Sequence, residues 1–140
     1  MSKSKIMKYY YLILFLTAVF SNFYAQTAED YFKQGNQQYM KNDFLGADMG
    51  YTKAIKLDPK YIDAYINRGR LRHNKLDDDK GAIRDYNMVI ELDPKNANAY
   101  YYRANAYRNL KEFKKACADW NKAAELGSLD AKGSISKYCK

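Results

Sequence analysis

Few residues in this chain could do chemistry. His73 is the single histidine, Asp77, Asp78 and Asp79 form a run of three acids, and Cys117 and Cys139 are the only cysteines. Hydrolytic or redox catalysis needs a nucleophile with a base in reach, or a cluster of metal ligands. One histidine offers no such pair. The acid run lacks the further acids and spaced glycine that a calcium loop requires, so it reads as a solvated turn capping a helix. No phosphate-binding glycine loop, nucleophile elbow or closely spaced cysteine pair occurs. The sequence therefore assigns no catalytic residue, no metal and no cofactor, and the chain is expected not to be an enzyme.

What positions the remaining polar groups is a repeat. Residues 51–70 read YTKAIKLDPKYIDAYINRGR, and residues 86–105 read YNMVIELDPKNANAYYYRAN. Tyr51/Tyr86, Leu57/Leu92, Asp58/Asp93, Pro59/Pro94, Tyr65/Tyr100 and Arg68/Arg103 coincide at a spacing of 35. A fixed period of this size marks stacked helical units. Proline lacks the N–H a helix interior needs and biases the residue before it away from helix, so Pro59 and Pro94 punctuate helix pairs. Gly35, Gly69 and Ala104 recur at one place in each first helix, and Ala47, Ala82 and Ala116 at one place in each second helix. Small residues there permit close approach, and aromatics three or four positions away fill the flanks. Gly46 and Gly50 read as loosening the second helix of the first pair. Asp43, Asp79 and Glu112 stand at or near second-helix starts, where acids complement exposed N–H groups. The second unit holds one extra residue, placed within 76–81.

These residues resemble the tetratricopeptide repeat family. The first copy (28–61) offers Tyr31, Gly35, Tyr39, Ala47, Tyr51, Ala54 and Pro59; the second (62–96) offers Tyr65, Gly69, Ala82, Tyr86, Val89 and Pro94. The third (97–130) offers Tyr100, Ala104, Tyr107, Ala116, Trp120 and Ala123, with Ser128 in place of proline. The expected fold is all-α: an α-solenoid of three helix pairs plus a C-terminal capping helix at 129–139. Expected helices are 28–41, 44–57, 62–75, 79–92, 97–110, 113–126 and the cap, stacked in the family's right-handed superhelix. The family lines its concave groove with first helices, which here implies Lys33, Asn36, Asn67, Arg70, Tyr102, Asn105 and Arg108. The family's clamp for peptide C-termini pairs asparagines with cations. Asn36 and Asn67 match its asparagines, whereas Phe32, Asn98 and Tyr102 stand where its cations would be. The groove that remains is lined by amides, tyrosine and arginine, and suits an extended, acidic segment.

The first 25 residues differ from the rest. Lys3, Lys5 and Lys8 precede an apolar run, YYYLILFLTAVF, and a more polar stretch ending at Ala25. That order is a secretory signal peptide, with cleavage expected after Ala25, or after Ser21. The run is short against the roughly 20 residues that span a bilayer; the alternative is a retained anchor, extended by Phe23 and Tyr24. Residues 26–140 form the expected repeat domain. Without the leader's three lysines, 21 basic residues face 16 acids, a net charge of +5 with the signs interleaved. Nucleic-acid binding would call for a clustered basic stripe and is the least favoured class.

Export implies an oxidising compartment, so Cys117 and Cys139 are expected to pair. Each lies eleven residues from Ser128, on opposite sides of the turn between the last two helices, and residues equidistant from such a turn come side by side. The expected function is an exported protein–protein interaction module for a protein or peptide partner, acting as an adaptor or assembly factor in the periplasm or cell envelope. The alternative is a membrane-anchored scaffold that keeps its leader.

Overall fold

The structure, a computed structural model, describes residues 3–21 and 26–140. Its elements are α1 (Lys3–Ser21), α2 (Ala28–Met40), α3 (Phe44–Leu57), α4 (Ile62–Lys75), α5 (Asp79–Leu92), α6 (Ala97–Asn109), α7 (Phe113–Glu125) and α8 (Leu129–Tyr138). From α2 onward each helix packs on the next, giving the pairs α2/α3, α4/α5 and α6/α7 with α8 against α7. The cleavage expected after Ala25 falls outside the described residues, as do Phe23 and Tyr24. Among the described residues no helix is long and apolar enough to cross a membrane.

Side chains start most of these helices. Thr27 and Asp30 form a reciprocal capping box at α2. Asp43, Asp78, Asn96 and Ser128 accept the N–H of Gly46, Gly81, Ala99 and Ala131 at 2.9, 2.8, 3.1 and 3.3 Å, each satisfying a donor the helix cannot reach itself. The capping acid of α5 is thus Asp78, not Asp79, which lies inside the first turn and contacts His73 Nδ1 at 2.5 Å. Glu112 stands at the α7 N-cap without a side-chain cap bond and instead meets Lys115 Nζ at 2.5 Å. At Gly46 and Gly81 the capping carboxylate lies where a Cβ would stand, so a side chain there would require Asp43 or Asp78 to shift.

The helices stop for equally local reasons. Asp58 and Asp93 are extended before their prolines, and their carboxylates accept the N–H of Lys60 and Lys95 at 3.0 and 3.2 Å. Where the third unit lacks proline, Gly127 turns the chain at φ 98°, a left-handed C-terminal stop. Inside each pair the turn spans 41–43, 76–78 or 110–112, with a left-handed middle residue, Asn42, Asp77 or Lys111. The extra residue of the second unit is taken up where α4 meets its turn. Asp43 and Glu112 donate N–H to carbonyls five residues back, Gln38 and Tyr107, whereas Asp78 reaches six back to Arg72.

The core is a ring laid on bare backbone in each pair. A Cβ on Gly35 would meet the Tyr51 ring at 2.8 Å, and one on Gly69 the Tyr86 ring at 2.8 Å; Ala104 packs with Trp120 in the third pair. Gly50 is not a loosening element. α3 is continuous through it, and a Cβ there would lie 2.7 Å from Gly35 Cα, so two glycines let α2 and α3 touch backbone to backbone. The polar atoms of the rings are handled unequally. Tyr51 donates its O–H to Asn36 Oδ1 at 2.8 Å, and Trp120 Nε1–H to Asn105 Oδ1 at 3.3 Å. The residue aligned with Asn36 and Asn105 in the second pair is Arg70, which can only donate. The fully buried Tyr86 hydroxyl has no hydrogen-bond partner among the described residues, and burial pushes its phenol far above the ordinary range.

Arginines stitch one pair to the next. Arg68 binds Asp85 at 2.6 and 3.0 Å and reaches back to Thr52 of α3 at 2.9 Å. Arg103 repeats this, holding Asp119 at 2.7 Å through two nitrogens and Asn87 of α5 at 2.7 Å. Arg72 adds Asp48 at 2.7 Å and Asp85 at 3.1 Å. Burial drives the Asp85 carboxyl upward and the two guanidiniums oppose that shift. In the first pair, with no described pair before it, Gln34 and Gly50 replace the arginine and aspartate. Gln34, Gln37 and Gln38 stand where α4 turns Arg68, Leu71 and Arg72 to its predecessor. This face of the first pair is therefore largely polar, with the exposed Met49 beside the glutamines.

At the other end Ala131, Ile135, Tyr138 and Cys139 hold α8 on the Trp120 cluster, with the Tyr138 ring stacked on Trp120 at 5.5 Å. The Cys117 and Cys139 sulfurs are bonded, with α-carbons 5.7 Å apart, within the span a disulfide tolerates.

Three variants and one labelling experiment test this packing. Gly50→Ala forces α2 off α3 and is expected to cost about 1–3 kcal/mol; an unchanged urea midpoint would contradict the backbone contact. Tyr86→Phe removes a hydroxyl that nothing accepts and is expected to leave stability equal or higher, by up to about 1 kcal/mol, where losing a bonded hydroxyl lowers it. Replacing both cysteines by serine opens a loop of 22 residues and is expected to cost roughly 3 kcal/mol. Alkylation of both thiols in the unreduced native protein, read by intact mass, would contradict the bridge.

Candidate peptide-binding pocket

A pocket lies between α2 and α4. It has a volume of about 210 Å³ and is lined by Asn36, Tyr39, Met40, Tyr51, Asn67, Arg70, Leu71 and Asn74. Asn67, Arg70 and Asn74 follow one stripe of α4, at steps of three and four. Asn36 enters from α2, and Asn67 Nδ2–H donates to its Oδ1 at 3.2 Å. That oxygen also accepts the Tyr51 hydroxyl, so Tyr51 from α3 holds Asn36 from beneath. None of the lining residues is an acid, and Arg70 is their one fixed charge.

Of the seven residues expected to line the groove, the pocket gathers Asn36, Asn67 and Arg70. Tyr102 adjoins it: the Arg70 guanidinium lies 5.3 Å above the Tyr102 ring, which contacts Tyr86 at 5.9 Å and Tyr101 at 5.6 Å. The other three are placed elsewhere. Lys33 is exposed and pairs with Glu29 at 2.7 Å. Asn105 holds the Trp120 indole, and Arg108 lies 5.3 Å from the Tyr138 ring centroid. Phe32, where the family's clamp would have a cation, packs between Tyr51 and Tyr61 at 5.8 and 5.0 Å. His73 is tied to Asp79, and among the described residues no group of three metal-binding side chains occurs.

Sequence reasoning missed Tyr39, Met40, Tyr51, Leu71 and Asn74. The signal was present for two of them: Asn74 lies one turn beyond Arg70, and Met40 one turn beyond Asn36, on helices already assigned to the groove. Met40 is 82% exposed, an apolar side chain at the pocket edge with nothing over it among the described residues. The pocket can thus offer carboxamides to a peptide backbone, a guanidinium to an acceptor, and a small apolar margin.

Comparison with known proteins agrees with this architecture. A family profile described as "TPR repeat" matches residues 72–111, and one described as "Tetratricopeptide repeat" matches residues 97–128. No curated protein matches the sequence. Among solved structures, the Arabidopsis OM64 TPR domain is 29% identical, with a TM-score of 0.75 over 80% of this chain and 93% of that one. MamA is 27% identical at a TM-score of 0.70, covering 76% and 61%. The first TPR of Spaghetti (RPAP3), bound to the HSP90 peptide SRMEEVD, shares the fold at 24% identity and a TM-score of 0.75, covering 81% and 91%. The helix pairs, the small-residue contacts and both profile matches lead to one conclusion: the chain is a tetratricopeptide repeat protein.

Proposed function

We propose that the chain is an exported interaction module that holds an extended segment of a protein partner in the pocket between α2 and α4. The fold is that of protein–protein interaction modules, and a neighbour of the same fold carries a bound peptide. The observation that carries the reading is the pocket itself. Asn36, Asn67 and Asn74 present carboxamides, the groups suited to a peptide's N–H and C=O, beside exposed apolar surface on Tyr39 and Met40. A buried tyrosine fixes the Asn36 side chain, so part of the binding geometry exists before the partner arrives, which lowers the ordering cost of association. Export is supported by the lysine-then-apolar leader and by a cysteine pair placed to form a bridge. In this reading the chain works as an adaptor or assembly factor in the periplasm or cell envelope, and residues 1–25 are removed.

The double variant Asn67→Ala/Arg70→Ala is expected to lose most crosslinked partner captured from the native envelope, with an unchanged helical circular dichroism spectrum. Equal capture by the folded variant would move binding to another face. Sequencing the mature N-terminus decides export against anchoring. A chain beginning near Gln26 supports export, and one retaining its lysine-rich start supports the membrane-anchored scaffold.

A further inference from the structure

The partner's chemistry follows from Arg70. Of the six arginines, Arg68, Arg72 and Arg103 are consumed by Asp48, Asp85 and Asp119. Arg84 is exposed on α5, and Arg108 lies against Tyr138. Arg70 is exposed, lines the pocket and has no carboxylate partner among the described residues. Its guanidinium lies over the Tyr102 ring at 5.3 Å, within cation–π range, and that ring is itself in contact with Tyr86 and Tyr101. A cation–π contact with an aromatic ring holds a guanidinium in place while leaving its N–H groups open for a two-pronged acceptor.

Arg70 also has a stability cost. The aligned residues of the first and third pairs are Asn36 and Asn105, and each accepts the donor of the buried ring beneath it. Asparagine at position 70 would serve the Tyr86 hydroxyl in the same way. Arginine cannot, and that hydroxyl is left unpaired in the core. A residue that breaks the chain's own repeated solution and leaves a buried donor unmet marks a position kept for another task.

From these two observations we infer that the bound segment carries an internal aspartate or glutamate whose carboxylate docks on Arg70 above the Tyr102 ring. This rests on the peptide-binding reading above. It differs from a clamp on a chain terminus. The cation-bearing clamp positions hold Phe32, Asn98 and Tyr102, and the pocket supplies one guanidinium, a match for one side-chain carboxylate and not for a terminal carboxylate beside a second acid.

Two peptide-display libraries separate the possibilities, one with random residues between fixed flanks and one with random residues at a free C-terminus. Each is selected on the wild-type chain, on Arg70→Asn, and on Arg84→Asn as a control outside the pocket. The expected result is an Asp or Glu at one internal position for the wild type and the control, and its loss on Arg70→Asn. The selected peptide should bind Arg70→Asn at least about tenfold more weakly, and its Glu→Gln or Asp→Asn form should bind both proteins alike. Arg70→Asn should also melt at a higher temperature than the wild type, since Tyr86 gains an acceptor. Binders without an acid overturn the inference while leaving peptide binding intact, and so does enrichment confined to the free terminus. A lower melting temperature for Arg70→Asn overturns it by making the arginine a structural part. No specific binder from either library overturns this inference and the peptide-binding reading together.

Discussion

Everything in this array depends on how closely two helices of a pair can approach. An aromatic ring can press against backbone only where the facing residue has little or no side chain, and each pair meets that condition at Gly35, Gly69 or Ala104. The rings of Tyr51, Tyr86 and Trp120 then fill the space on either side, and Ala47, Ala82 and Ala116, all fully buried, keep the second helix close. Interiors of this density respond to a single added methyl group. The pocket inherits its position from the same contact, because Tyr51 both fills the first interface and holds Asn36 at its rim.

A second constraint orders the pairs relative to one another. Apolar contacts are non-directional, whereas a guanidinium bound to a carboxylate by two nitrogens fixes distance and angle. Arg68 and Arg103 each join three helices in this way. Among the described residues the device appears only where a preceding pair is described. In the first pair its two positions become glutamine and glycine, and the glycine tightens the local helix contact instead. The departure that looks like weakness in isolation is a change of use.

Much of this was legible in the sequence. The Leu-Asp-Pro-Lys echo placed two helix stops, the recurring small residues located the interfaces, and the helix bounds followed to within a residue or two. Other features depend on long-range packing. Gly50 reads as a helix weakener until its partner Gly35 is known. The cap of α5 lies one residue earlier than the acid run alone suggests, because three adjacent aspartates give no local reason to choose among them. The groove stripe was half visible: the resemblance to the family supplied Asn67 and Arg70 on α4, but whether Lys33, Asn105 and Arg108 join the same pocket depends on Glu29, Trp120 and Tyr138, residues that pattern alone does not connect to them. The arginine ladder left a trace in the aligned pairs Arg68/Arg103 and Asp85/Asp119, a spacing that a search for catalytic groups passes over.

Trp120 is the chain's single tryptophan, and its surroundings make it a local reporter. The indole is fully buried, stacked on Tyr138, bonded to Asn105 and in the same cluster as the bridged cysteines. Its emission therefore registers α6, α7 and α8 and is blind to the pocket between α2 and α4. In an array whose units touch only their neighbours, the two ends can open independently. An unfolding curve followed by fluorescence describes the closed, disulfide-tied end, while far-ultraviolet dichroism averages over every helix. Any gap between the two midpoints measures how weakly the first pair is coupled to the last, without a single label added to the protein.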